Sequence, residues 1–131
     1  MQRMFGVLLI AATLSLGANH EASAAAEDYA FEAATAKVGQ GSDAIVGVRL
    51  LNKASGKPVA NAVIFQTRLD MSPENMGGMT SKVTPVAFEE PGVYCFEVDL
   101  SMAGRWALTL AAKVPGEQET VRGEVDVVAT E

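Results

Sequence analysis

The chain has 131 residues, a net charge of −6 and 49% apolar residues, with one histidine and one cysteine. An acidic balance of this size argues against nucleic acid and anionic membranes as partners, since those surfaces select clustered Lys and Arg. One cysteine excludes an internal disulfide, so burial alone must hold the fold.

In chain order, residues 1–26 read as an export signal. Arg3 supplies the positive start, residues 5–16 form a short apolar run, and Ala22-Ser23-Ala24 is a small-x-small cleavage site with Ala24-Ala25-Ala26 behind it. A bilayer-spanning helix needs roughly 20 apolar residues, and this run is shorter before it meets Asn19, His20 and Glu21. The reading is therefore a cleaved signal with no stable membrane span. No cysteine lies near the cleavage site for lipid attachment. The expected location is outside the cytoplasm, most simply a bacterial periplasm. His20 leaves with the signal, and Arg3 and Glu21 leave together, so the net charge stays at −6.

Residues 27–131 read as one domain of strands. Period-two alternation of apolar and polar residues marks residues 29–37, 45–51, 59–69, 81–88, 93–100, 105–114 and 121–127. Within 59–69 the alternation places Val63, Phe65, Thr67 and Leu69 on one face. Within 93–100 it places Tyr94, Phe96, Val98 and Leu100 on one face and Cys95, Glu97 and Asp99 on the other. Turn-forming clusters separate the runs: Gly39-Gln40-Gly41-Ser42, Ala54 to Pro58, Glu90-Pro91-Gly92, Ala103-Gly104 and Pro115-Gly116-Glu117. No sustained helical period follows the signal. The pattern predicts an all-β, immunoglobulin-like sandwich of two antiparallel sheets with about seven strands. Trp106, the sole tryptophan, lies on an apolar face and is the expected core anchor.

Three of the six methionines, Met71, Met76 and Met79, fall in the run from Asp70 to Met79. Pro73 and Gly77-Gly78 punctuate that run, which predicts a loop. A loop gives methionine little core to fill, and thioethers are soft ligands suited to Cu(I). With Gly77-Gly78 folding the chain back, the three sulfurs would form a trigonal site, with Asp70 and Glu74 adding negative potential. The bland alternative is that the methionines plug one end of the sandwich. Met102, at the next turn, is either a fourth ligand or a core cap. Cys95 is either an exposed thiol or an inert buried one.

The methionine run, Glu90-Pro91-Gly92-Val93-Tyr94 and Leu100-Ser101-Met102-Ala103-Gly104-Arg105-Trp106 together resemble the YtkA-like/FixH-like family of small exported β-sandwich domains. The resemblance spans residues 63–128. It implies copper or other cation handling beside heavy-metal efflux systems, or membership of cytochrome-oxidase assembly complexes. The chain departs from the family in two ways. Many relatives place a histidine where this chain has Gly77-Gly78, which points away from Cu(II). The oxidase-assembly relatives keep a membrane helix, which points away from that role.

Catalysis finds no constellation to work with. The domain has no histidine, Glu97 and Asp99 form an ordinary solvated strand face, and Gly39-Gln40-Gly41 is a plain turn. The expectation is a non-enzymatic periplasmic Cu(I) carrier, or an accessory to efflux, binding through Met71, Met76, Met79 and Met102. The alternative is an interaction module that docks on an efflux-pump or oxidase-assembly component without metal.

Overall fold

A computed structural model of the protein describes residues 26–35, 37–87 and 90–131. The expected signal therefore lies outside the described residues, apart from Ala26. After one 3-10 turn at Ala26–Asp28, nine strands follow in the described chain: β1 Tyr29–Ala33, β2 Lys37–Gly39, β3 Gly41–Asn52, β4 Val63–Met71, β5 Met76–Ser81, β6 Val83–Val86, β7 Val93–Leu100, β8 Gly104–Lys113 and β9 Val121–Thr130. One sheet has the order β1-β3-β7-β6 and the other β2-β9-β8-β4-β5. This is the expected immunoglobulin-like sandwich, with two additions.

First, the run expected as a single strand over residues 29–37 changes sheets. β1 pairs with β3, and β2 pairs with β9 in the opposite sheet. The β2–β9 pairing is parallel, so the sandwich is not wholly antiparallel. Second, β5 occupies part of the expected methionine loop. Among the described residues no helix is long and apolar enough to cross a membrane.

The core is what the alternation predicts on β3, β7, β8 and β9. Val46, Val48, Phe96, Val98, Leu100, Trp106, Leu108, Leu110, Val125 and Val127 are buried between the sheets. Trp106 is fully buried, as expected of the anchor. Phe31 of β1 lies across the sandwich against Gly123 of β9, where a Cβ would come within 2.6 Å of its ring.

On β4 the alternation misleads. A bulge between Ile64 and Gln66 inserts an extra residue in the register with β8, which exchanges the two faces of the strand beyond it. Leu69 and Met71 point inward and are fully buried, but it is Ile64 that packs on the core. Phe65 and Val63 are 51% and 62% exposed. The strand also starts four residues later than the run at 59 suggests. Tyr94 holds the preceding segment away from the sheet: its hydroxyl donates to the Val59 carbonyl at 2.6 Å and accepts from the Ala62 amide at 3.1 Å.

The turn into β7 is built as its sequence implies. The Val93 amide donates to the Glu90 carbonyl at 3.2 Å, closing a four-residue turn with Pro91 and Gly92 at its centre. Gly92 has φ +81°, the conformation of the third residue of a type II turn. Its open side is filled by Pro58, whose ring would collide with any Cβ there. Gly56 has a similar φ of +69° with nothing near it. Urea denaturation should therefore separate the two: Gly56→Ala costs about 1 kcal/mol from backbone strain, and Gly92→Ala about 3 kcal/mol because steric overlap adds to that strain.

Candidate metal centre

The methionine run is not a loop. Met71 is the last residue of β4, Ser72–Glu74 form a single 3-10 turn, and Met76 opens β5. Local chemistry explains why this stretch folds. Pro73 sits in the first turn, where its fixed φ is an asset. Asn75 takes the left-handed conformation at φ 58° and reverses the chain. The Asp70 carboxylate accepts the Ser72 amide at 3.0 Å, so the side chain initiates the turn.

Two arginines brace the hairpin from outside. Arg68 donates Nε to Asp70 at 2.8 Å and a second nitrogen to the Gly77 carbonyl at 3.1 Å. Glu74 accepts the Arg105 backbone amide at 3.1 Å and lies 3.6 Å from its guanidinium. The expected negative potential of Asp70 and Glu74 is thus largely offset by Arg68 and Arg105. These two carboxylates serve mainly to hold the hairpin in place. Arg105 could not be matched to Glu74 from the sequence because 31 residues separate them, whereas Arg68 and Asp70 lie two residues apart on β4 and their pairing was open to a same-face reading. The Asp70-Met71-Ser72 spacing alone was a legible sign of a side-chain-initiated turn.

The four candidate sulfur residues are all carried to one end of the sandwich. Met71 and Met76 are direct partners across β4 and β5. The register then skips three residues on β5 before Thr80 meets Asp70, which lets Met76 and Met79 both pack against the core although they are an odd number of residues apart. The turn bearing Met102 meets the same hairpin. Gly104, at φ +132°, stands where a Cβ would lie 3.1 Å from the Met71 methyl and 3.6 Å from Glu74. Met102 itself presents its carbonyl to the Trp106 indole N–H at 3.1 Å.

Their exposure divides them. Met71 is 0% exposed and belongs to the core, so its expected role as a free thioether in a loop is corrected. Its side chain fills the space that β4, β5 and Gly104 leave between them. Met76 and Met79 are half-buried, and Met102 is 38% exposed. Among the described residues no group of three His, Cys, Asp or Glu side chains is placed to hold a metal ion, so thioethers are the soft donors at this end.

Cys95 resolves to the buried alternative. It pairs with Gly47 of β3 and is only 6% exposed. Its sulfur leans into the space a Gly47 side chain would fill, 3.6 Å from that Cβ position, with Ala34 and Thr35 on the far side. Burial pushes the thiol pKa up, and the Glu90 carboxylate adds to the rise. A protonated, covered thiol is a poor ligand and a poor nucleophile.

The sequence profile of the YtkA-like family matches residues 23–111. The chain belongs to the YtkA-like family. The matched segment runs from before β1 to near the end of β8, so it contains the methionine hairpin and both turns described above. No curated protein sequence matches the chain. Two solved structures are similar to it. The Lin-41 filamin domain is 17% identical, with 73% of this chain and 91% of that chain covered and a TM-score of 0.41. The ZirS C-terminal domain is 9% identical, with 100% of this chain and 84% of that chain covered and a TM-score of 0.43.

Two outcomes follow from this geometry. Met71→Ala should destabilise the domain by about 2–5 kcal/mol, as for other buried large-to-small changes, whereas Met102→Ala should cost less than about 1 kcal/mol; chemical denaturation of each variant separates them. The second concerns acid. The Ser72 hydroxyl holds the Asp70 carboxyl below its ordinary range against the opposing effect of burial, with the Ser72 amide and Arg68 adding to it. Because the folded pKa lies below the unfolded value, this stabilisation is complete above about pH 4 and is lost as pH falls through the lower folded value. Asp70→Asn should therefore flatten the acid limb of a stability–pH curve and lower the plateau at neutral pH.

Proposed function

We propose that this YtkA-like protein is an exported, non-catalytic domain that binds Cu(I) at its methionine-closed end and acts as a periplasmic carrier or accessory in heavy-metal efflux. The reading is supported by three observations: Met76 pairs with the buried Met71 across β4 and β5, Met79 packs on the same core, and the turn bearing Met102 meets the same hairpin, with Met76, Met79 and Met102 all retaining access to the surface. The proposed ligand set is smaller than that expected of the bare sequence: Met71 serves as the floor of the site, which leaves Met76, Met79 and Met102 as the donors.

Thioether sulfur favours Cu(I) over harder or more highly charged ions, and it needs no deprotonation to bind. The offset of Asp70 and Glu74 by arginines fits a monovalent cation better than a divalent one, because little net negative charge remains for the ion to neutralise. The hairpin braced by Arg68 and Arg105 keeps the donors on a rigid end, so little ordering cost falls on binding.

Leucine substitutions test this with little change in packing. In competition with a Cu(I) chelator, the wild-type protein should take up about one Cu(I) per chain. Replacing Met76, Met79 and Met102 together by leucine should abolish uptake, and Met71→Leu should leave it unchanged. Equal affinity in the triple variant removes this end of the sandwich from consideration. If copper leaves the melting temperature of the wild type unaltered while an efflux or assembly component co-purifies, the metal-free docking module is the better reading.

A further inference from the structure

The other end of β4 carries a second feature that the metal reading does not use. β8 flanks β4 along its length, from Val63 opposite Lys113 to Asp70 opposite Ala107. β5 flanks it only opposite Leu69 to Met71. Along its free edge, the backbone from Val63 to Arg68 therefore has no strand partner among the described residues. Facing it is the edge of the other sheet, the short strand β6, interrupted by Pro85.

At the start of this edge, between Val63-Ile64 with the preceding segment and the β6–β7 side, opens a groove of about 560 Å³ whose wall is mainly apolar, formed by Ile64, Val86, Tyr94 and Phe96, with Glu90 also lining it. An exposed edge is usually blunted by proline, charge or shortness. β6 has the proline and the shortness. The free length of β4 instead exposes two large apolar side chains, Val63 and Phe65.

Two cations stand on the outer flank of this edge. The chain carries −6 overall, yet the ammonium of Lys113 lies over the Phe65 ring at 5.9 Å and Arg122 reaches Gln66 at 3.4 Å. Neither cation makes an ion pair among the described residues. An apolar slot beneath an open edge, with uncompensated cations on its outer flank, has the form of a strand-addition site. Backbone bonds give affinity there, and alternate side chains give specificity.

We propose that the free edge of β4 receives an extended segment of a partner protein, which adds as a further strand. Its apolar side chains at every second position enter the groove over Ile64 and Phe96, and the acidic side chains between them face Lys113. The proposal is independent of copper, because the groove and the methionine cluster lie at opposite ends of β4.

The test uses the full exported protein, isotopically labelled, and a short synthetic peptide alternating valine and glutamate. A counterpart with lysine in place of glutamate serves as the control. The glutamate peptide should slow amide exchange within Val63 to Arg68, and it should bind about three times more tightly than the lysine peptide. Lys113→Glu, an exposed change outside the core, should reverse that order while leaving the melting temperature within a few degrees. Three results overturn the proposal: neither peptide slows those amides, protection falls on another edge such as β1 or β6, or the preference for glutamate survives the charge reversal.

Discussion

The methionine end of this sandwich depends on one bond, from the Trp106 indole N–H to the Met102 carbonyl. Trp106 is wholly enclosed between the sheets, and an enclosed indole donor without a partner costs about 1–3 kcal/mol. The acceptor is the backbone of the β7–β8 turn, so the core cannot settle without drawing that turn inward. Once it is drawn in, Gly104 lies against the Met71 methyl, and the Arg105 amide meets Glu74 of the hairpin. Core packing, turn position and hairpin position are thus one linked arrangement. The half-buried Met76 and Met79 pack on this arrangement from its rim.

Most of the sheet was legible in the sequence, and the exceptions share a cause. Strands β3, β7, β8 and β9 keep a strict alternation over their inward residues, so a period of two places Val46, Phe96, Leu108 and Val125 correctly. β4 does not, because a bulge at Ile64 to Gln66 shifts the phase, and a one-residue shift leaves no trace in composition. Phe65, an inward residue by pattern, is outward in fact. The change of sheet between β1 and β2 was hidden for a similar reason: residues 29–37 are apolar enough to read as one strand, and only the pairing partners reveal two. The site was half legible. Clustered methionines marked one end of the fold as the candidate site, but Pro73 and the paired glycines concealed that Met71 and Met76 are strand residues bonded across a tight turn.

Methionine serves two ends here that pull against each other. A flexible thioether fills irregular space well, and the gap where β4, β5 and the β7–β8 turn meet is irregular because the register slips by three residues. Filling it removes sulfur from solvent, and a buried ligand is reached by an ion only if packing opens. The structure divides the work by depth. Met71 is committed to packing, Met76 and Met79 are half-buried, and Met102 is exposed. A cluster that looked uniform in sequence is therefore layered, and the layering assigns each sulfur a different consequence on substitution.

The same distinction governs what family membership can carry. The residues by which this chain resembles its relatives, Pro91-Gly92-Val93-Tyr94 and Met102 through Trp106, each have a structural reason to be there. Gly92 supplies a positive φ beside Pro58, and Tyr94 ties down residues 59–62. Gly104 leaves room for Met71, and Trp106 anchors the turn. These motifs specify a sandwich with a braced end, and a protein could keep all of them with no metal chemistry at all. The proposed binding surfaces use other side chains, all at least partly exposed. At the methionine end these are Met76, Met79 and Met102, and at the opposite end of β4 they are Val63, Phe65 and Lys113. Substitutions at those positions, rather than in the motifs, are therefore where the two proposed binding surfaces are probed.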